Sequence, residues 1–283
     1  MLSPRHRSLL SPFTPIRLCQ PVPPEIPQAL ALAAPGWPTA TADDGVRVVR
    51  TSHGFRVSGD GADRFADDAW EAAHWVLAAA IGRFAEARSG RFVLNAGAAL
   101  TTGGAVVFAG ESHAGKSSVG LHLAADGVVT LGDDRLILDT AASPPTAIAL
   151  GLARKVRTPL PDDFSDAARR LAAATRAGHA AGADVLRWDT AIDMPAGTAA
   201  PVDRILLLRR DPGLDTARIS GLGAAEAVAA LLALCGRHAG PAAALLDAVA
   251  GLVRRVPVQR LEAGNSAAAA TALAGTPAAA ADR

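Results

Sequence analysis

Cysteine is scarce: Cys19 and Cys235 are the only two in 283 residues. They form no metal-type or redox-type pair in sequence, so both read as ordinary thiols and the simplest compartment is a reducing cytoplasm. Neither sign of charge is in excess. The 28 basic and 27 acidic residues leave a formal net charge of +1, which argues against nucleic acid or an anionic membrane as partner. Long apolar runs are also missing. The run from Ala227 to Gly236 stops at Arg237, well short of the ~20 residues that span a bilayer. Prolines interrupt the N-terminal stretch MLSPRHRSLLSPFTPIRLCQPVPP before it can make the apolar region of a signal peptide. Asn-Lys-x-Asp, Leu-Ser-Gly-Gly and His-Glu-x-x-His do not occur, which sets aside guanine-reading GTPases, transporter ATPases and that metal-protease class.

Lysine is the scarcest charged residue. Only Lys116 and Lys155 occur among the 28 basic residues, arginine taking every other position. Lys116 falls inside GESHAGKSS, residues 110–118, which has the spacing Gly, four residues, Gly-Lys-Ser. That is the one place where a phosphate loop uses a compact, flexible ammonium rather than a planar guanidinium.

Half the residues are hydrophobic and 19% are charged, enough for a sizeable core in one large domain or a domain with a small annex. There is no internal repeat. Residues 1 to about 40 are proline-rich and read as extended surface chain. VRVVRTSHGFRVSG, 46–59, alternates as two strands joined near Ser52–Gly54. Asp67 and Asp68 open a helix carrying Trp70, His74, Leu77, Ile81 and Phe84 on one stripe, with Gly90 as its stop; His74 reads as a core histidine. Two strands, RFVLNAGAAL and GAVVFAG, turn at Thr102–Gly104. A helix from Ser117 to Ala125 follows the loop, then a strand, an acidic break and a strand in VVTLGDDRLIL. Further on come a strand-like TAIALG, a basic loop ARKVRTPLP, a helix from Asp162 to about Ala177, an extended RWDTAIDM and a buried strand DRILLLRR. Helices near 223–235 and 241–254 and a strand VPVQRL close the ordered part. The alanine-rich stretch 266–283 reads as a frayed, low-complexity tail. The resulting domains are an annex over 1–90, a nucleotide-binding domain over 91–265 and the tail.

A polyphosphate needs many directed donors in a small volume. Gly110 and Gly115 let the chain turn so that N–H groups face the anion across Ser112, His113 and Ala114, and the helix start adds its positive end. Lys116 reaches the β- and γ-phosphates, the Ser117 hydroxyl suits Mg²⁺, and Ser118 completes the loop. Asp133 and Asp134 follow one strand later. As neighbours on a strand they point to opposite faces, suiting one to Mg²⁺ and the other to accepting a proton from an attacking hydroxyl. Arg135 beside them, and the cluster Arg154, Lys155 and Arg157, read either as solvated or ion-paired charges or as phosphate contacts.

GESHAGKSSVGLHLAADGVVTLGDDRLIL resembles the core of the HPr kinase/phosphorylase superfamily, especially its shorter HPr-kinase-related members. The shared pattern is Gly-x-Ser-x-x-Gly-Lys-Ser, a helix, a Gly-terminated turn and a strand ending in Asp-Asp-Arg, over about 90–160. The resemblance implies an α/β fold akin to phosphoenolpyruvate carboxykinase, a mixed sheet with flanking helices carrying the phosphate loop. It also implies ATP and Mg²⁺ as cofactors and transfer of phosphate to a serine of a protein or peptide, including a ribosomal peptide precursor. Lys116 is implied for phosphate, Ser117 with Asp133 for the metal, Asp133 or Asp134 as base, and assembly as a homo-oligomer is a family habit. This chain departs from the family at His113, commonly Gly; at Ser118, Glu in true HPr kinases; and at Asn95, where those have His. The Glu-x-Arg-Gly-Leu-Gly signature is not found. A non-catalytic nucleotide-binding module and a small-molecule kinase stay open beside the protein kinase.

Overall fold

The structure is a computed structural model and describes residues 8–9, 15–59, 61, 63–238 and 240–275. The most apolar runs condense into a large mixed sheet, of eleven strands among the described residues. Ala96–Thr101 and Gly104–Ala109 form the expected hairpin, Ala96 opposite Ala109 and Thr101 opposite Gly104. Gly104–Ala109 runs parallel to the long strand Thr198–Arg210, which in turn runs parallel to Val258–Ala263. Thr130–Gly132 lies antiparallel on the outer side of the hairpin. The first half of the long strand leads instead to Thr146–Ile148, Leu136–Asp139, Arg91–Leu94 and Cys235–His238, each antiparallel to the next. Gly104–Ala109 and Leu136–Asp139 are buried at every residue, which is why 104–109 and 136–138 read as continuous apolar runs, while buried Asp139 pairs with Arg91 at 2.9 Å.

The pleat sorts the strand side chains to two faces. Ala105 and Val107 face the helices Ala224–Leu234 and Ala242–Val253 through Leu231, Val249 and Leu252. Val106 and Phe108 face Lys116–Ala125 and Ser266–Ala274 through Val119, Leu123 and Leu273. Fully buried leucines such as Leu123 and Leu273 stabilise by roughly 1.5–3 kcal/mol each. Ser266–Ala274 corrects the expected frayed tail: Asn265 caps it by accepting from Ala268 N at 2.8 Å, and Ala269, Ala270 and Leu273 are buried. Alanine is the strongest helix former and admits close approach of the loop helix. Residues 276–283 lie outside the described residues.

The N-terminal region is also more ordered than a proline-rich extended chain. Glu25–Ala33 is a helix with Ile26, Leu30 and Ala33 buried, and Ile16–Leu18 pairs in parallel with Thr39–Thr41. Arg47–Thr51 and Gly54–Ser58 form the expected hairpin, extended by Arg64–Ala66. The next helix, Ala69–Glu86, starts where the acidic pair predicts: Asp68 accepts from Glu71 N at 2.8 Å, and Glu71 reaches back to Asp67 N at 3.0 Å. Among the described residues the annex shares its core with the large sheet. Ile26, Leu30, Val76 and Ile81 share one cluster with Ile137, Ile148 and Leu150 of the large sheet and the loop after it, and the Trp37 indole donates to Leu150 O at 2.6 Å.

Three expectations between 150 and 194 are corrected. The basic loop is the strand Arg154–Arg157, paired with Ala183–Leu186 and through it with Arg176–Ala180. The helix is shorter, Asp166–Thr175, capped by Ser165, and its expected C-terminal residues form the Arg176–Ala180 strand. Residues 187–194 turn rather than extend, with Ile192 N bonded to Asp189 O. Among the described residues no helix is long and apolar enough to cross a membrane.

Candidate functional site

The strand Gly104–Ala109 runs straight into the nine-residue loop, and the helix Lys116–Ala125 leaves it. The loop's backbone accounts for its residues. A Cβ on Gly110 would stand 2.8 Å from the Ala114 Cβ and 3.2 Å from Leu208 O, so only glycine fits against the neighbouring strand. Gly115 caps the helix at φ +93°, and His113 takes the same left-handed region at φ +72°. His113 thus holds the conformation in which glycine is cheapest, at a cost of about 1–2 kcal/mol for a residue with a Cβ.

Lys116 folds back over the turn, its Nζ donating to Gly110 O at 2.7 Å and to Glu111 O at 2.9 Å. Burial lowers its pKa against the pull of Asp134 and Asp133. A cleft of about 520 Å³ opens over this end of the helix, lined by Ser112, His113, Gly115, Lys116, Ser117 and Ser118, by Asp133 and Asp134, and by Trp70, Lys155, Arg157 and Arg210. Gly110 and Ala114 line an adjoining cavity of about 510 Å³ that shares Ser112, His113 and Arg210 with the first. The structure therefore brings together the loop residues, both aspartates and the basic cluster. Asn95 is exposed and does not line the cleft.

The two aspartates do not alternate across a strand as expected. They lie in the bend beyond Thr130–Gly132, and both line the cleft. Asp133 is buried, with Ser117 lining the same cleft, and is 3.3 Å from Arg154, which also pairs closely with Asp193. Burial pushes the Asp133 carboxyl above the usual range despite Arg154. Asp134 is 36% exposed, with Lys155 Nζ at 3.7 Å and Arg135 Nε at 3.9 Å. Burial would raise it, but Lys155, then Arg135, His74 and Lys116, hold it below the ordinary value. One carboxylate is thus locked into a buried ion-pair network and its neighbour is an accessible anion among cations.

The basic cluster is neither a loop nor simply solvated. Arg154 is 1% exposed and stacks over Trp188 at 4.9 Å; Lys155 faces Asp134; Arg157 reaches the His113 ring. Trp70, His74, Asp193 and Arg210 belong to this neighbourhood and escaped the sequence reading. Trp70 and His74 were visible only as two members of an apolar stripe. Arg210 ends the strand parallel to the one feeding the loop, where open sheets place ligands, and its side chain has no partner among the described residues. Asp193 gave no signal.

No protein-family model and no curated protein matches the chain.

Proposed function

We propose that the chain is an ATP-dependent kinase of the HPr-kinase-related type, built on a phosphate-loop fold, that transfers the γ-phosphate of ATP to a serine hydroxyl of a peptide or small protein. One observation carries the reading: a Gly-Lys-Ser loop opening a helix shares its cleft with two neighbouring carboxylates, one buried and one accessible. Successive backbone N–H groups of the loop and the helix start orient the phosphates. Lys116, released from the Gly110 and Glu111 carbonyls, moves to the β- and γ-phosphates.

The donor set fits Mg²⁺: the Ser117 hydroxyl and the Asp133 carboxylate are hard oxygen donors lining one cleft, and Mg²⁺ sites commonly take one or two carboxylates with substrate phosphates. When bound, the ion neutralises charge on the phosphate oxygens. Arg154 holds Asp133 in place for it. Asp134, ionised and facing the cleft, accepts the proton of the attacking serine hydroxyl. The serine oxygen forms the new bond to the γ-phosphorus; the bond from that phosphorus to the β–γ bridging oxygen breaks, and its electron pair leaves on ADP. Asp133 thus serves the metal and Asp134 the proton. Serine as acceptor follows the resemblance, and a cytoplasmic location fits a site that consumes ATP.

Calorimetry of MgATP against wild type and Lys116→Ala tests the reading. Wild type binds and the variant loses most affinity; folded wild type that binds no MgATP ends the proposal. Transfer of labelled phosphate to serine-containing peptides, abolished in Asp134→Asn, then tests the acceptor class.

A further inference from the structure

Lys155 is the second of the chain's two lysines, set in a strand where Arg154 and Arg157 fill the other charged positions. Its Nζ lies 3.3 Å from His74 Nε2 and 3.7 Å from Asp134 Oδ2. An ammonium has three N–H donors and no acceptor, so His74 Nε2 must accept. The other ring nitrogen, Nδ1, lies 2.8 Å from Trp70 O and donates to that carbonyl. Both nitrogens of a neutral imidazole are thereby assigned. Burial first, then the Lys155 charge, lowers the pKa of His74 and favours that neutral form.

His74 takes up one Lys155 donor, and Asp134 pairs with the ammonium from 3.7 Å, beyond hydrogen-bond reach. No further acceptor meets the ammonium among the described residues, and Lys155 lines the same cleft as Lys116 and Ser117. A guanidinium there would spread its donors in one plane and could not serve the imidazole, the carboxylate and a tetrahedral anion from one atom. That is a physical reason for lysine at 155 in a chain that otherwise uses arginine.

We propose that Lys155 is a second phosphoryl-contacting cation of this site, and that His74, reaching in from the N-terminal annex, is the residue that positions it. The inference rests on the phosphoryl-transfer reading above. Lys116 serves the bound polyphosphate. Lys155, held beside the base Asp134, meets the phosphoryl group on the acceptor side, where charge spreads over its oxygens during transfer. His74 touches neither the polyphosphate nor the phosphoryl group; it fixes the direction of the Lys155 ammonium.

Calorimetry of MgADP with and without aluminium fluoride, a mimic of the transferring phosphoryl group, tests this without knowing the acceptor. Wild type binds MgADP more tightly with fluoride present. Lys155→Ala and Lys155→Arg each lose about 10²-fold of that gain, the scale for one preorganised donor, with affinity for MgADP alone within about threefold. His74→Ala loses about tenfold of the gain, and His74→Gln, whose amide oxygen still accepts from Lys155, restores it. Melting curves matching wild type show that the variants fold. A full fluoride gain in Lys155→Ala, or no fluoride gain in wild type that binds MgADP, overturns the inference. Equal losses in His74→Gln and His74→Ala overturn the positioning role. Wild type that binds no MgADP at all removes the kinase reading itself, a separate result.

Discussion

The Arg157 guanidinium stands against the His113 ring, Nη1 at 2.7 Å from Nδ1 and Nη2 at 3.3 Å from Nε2. The contact ties the middle of the loop to the strand Arg154–Arg157, across the mouth of the cleft. It also offers a return for the left-handed backbone that His113 adopts at φ +72°.

Replacing His113 by glycine separates backbone from ring. Relief of about 1–2 kcal/mol of left-handed strain is offset by the extra unfolded-state freedom of glycine, about 0.5–1 kcal/mol, and by the lost Arg157 contact. His113→Gly is expected to keep the wild-type melting temperature within a few degrees and MgATP affinity within about threefold, because the loop already has glycine geometry. A large rise in affinity would instead make the ring a block to phosphate.

Arg154 is expected to be the most costly single side chain to remove near the site. Arg154→Ala leaves Asp133 and Asp193 without their shared cation and Trp188 without its stacked partner. Breaking a buried pair from one side costs about 3–5 kcal/mol, read as a lowered urea midpoint. A loss below about 1 kcal/mol would mean that the network is hydrated rather than buried.

Asp134 gives a pH signature. Lys155 is the largest of the cationic neighbours that hold its carboxyl below the usual ~4, outweighing burial. A carboxylate with a depressed folded pKa binds fewer protons folded than unfolded, so its stabilisation is complete above the unfolded value and is lost as pH falls through the folded one. The melting-temperature advantage of wild type over Asp134→Asn is therefore expected to be flat above pH ~5 and to shrink below pH ~4. An advantage unchanged at about pH 3 would contradict the assignment.

Gly97 is held by its neighbours rather than by its dihedrals. A Cβ there would lie 2.4 Å from Phe108 Cε2 and 2.7 Å from Gly132 O. Gly97→Ala is expected to displace the Phe108 ring from the helix-facing core and to destabilise by about 1–3 kcal/mol. A thermal melt checks it, and an unchanged midpoint would mean that the ring swings aside freely.

Much of this architecture was legible where one physical signal dominated. The acidic pair Asp67–Asp68 and the apolar stripe after it located the Ala69–Glu86 helix, and alternation located the 47–58 hairpin. The loop, with Asp133 and Asp134, was found from residue type and order alone. Other elements were hidden for identifiable reasons. Pro27 sits in the first turn of Glu25–Ala33, where no amide donor is needed, so a proline-rich stretch conceals a helix. In Arg154–Arg157 one of the two buried positions is an arginine neutralised by Asp133 and Asp193, the other being Val156, so a buried strand looks like a basic loop. The contact of His74 with Lys155 spans 81 residues, and no local pattern encodes it.

The Ala69–Glu86 helix makes the annex inseparable from the cleft in another sense. Its Val76 and Ile81 share a core with Ile137 and Ile148, while Trp70 walls the cleft and His74 touches Lys155. A graft of residues 91–265 onto a foreign N-terminus would carry the phosphate-loop sequence intact yet arrive with one wall missing. A shift of the Ala69–Glu86 helix is therefore felt at the cleft through Trp70 and His74.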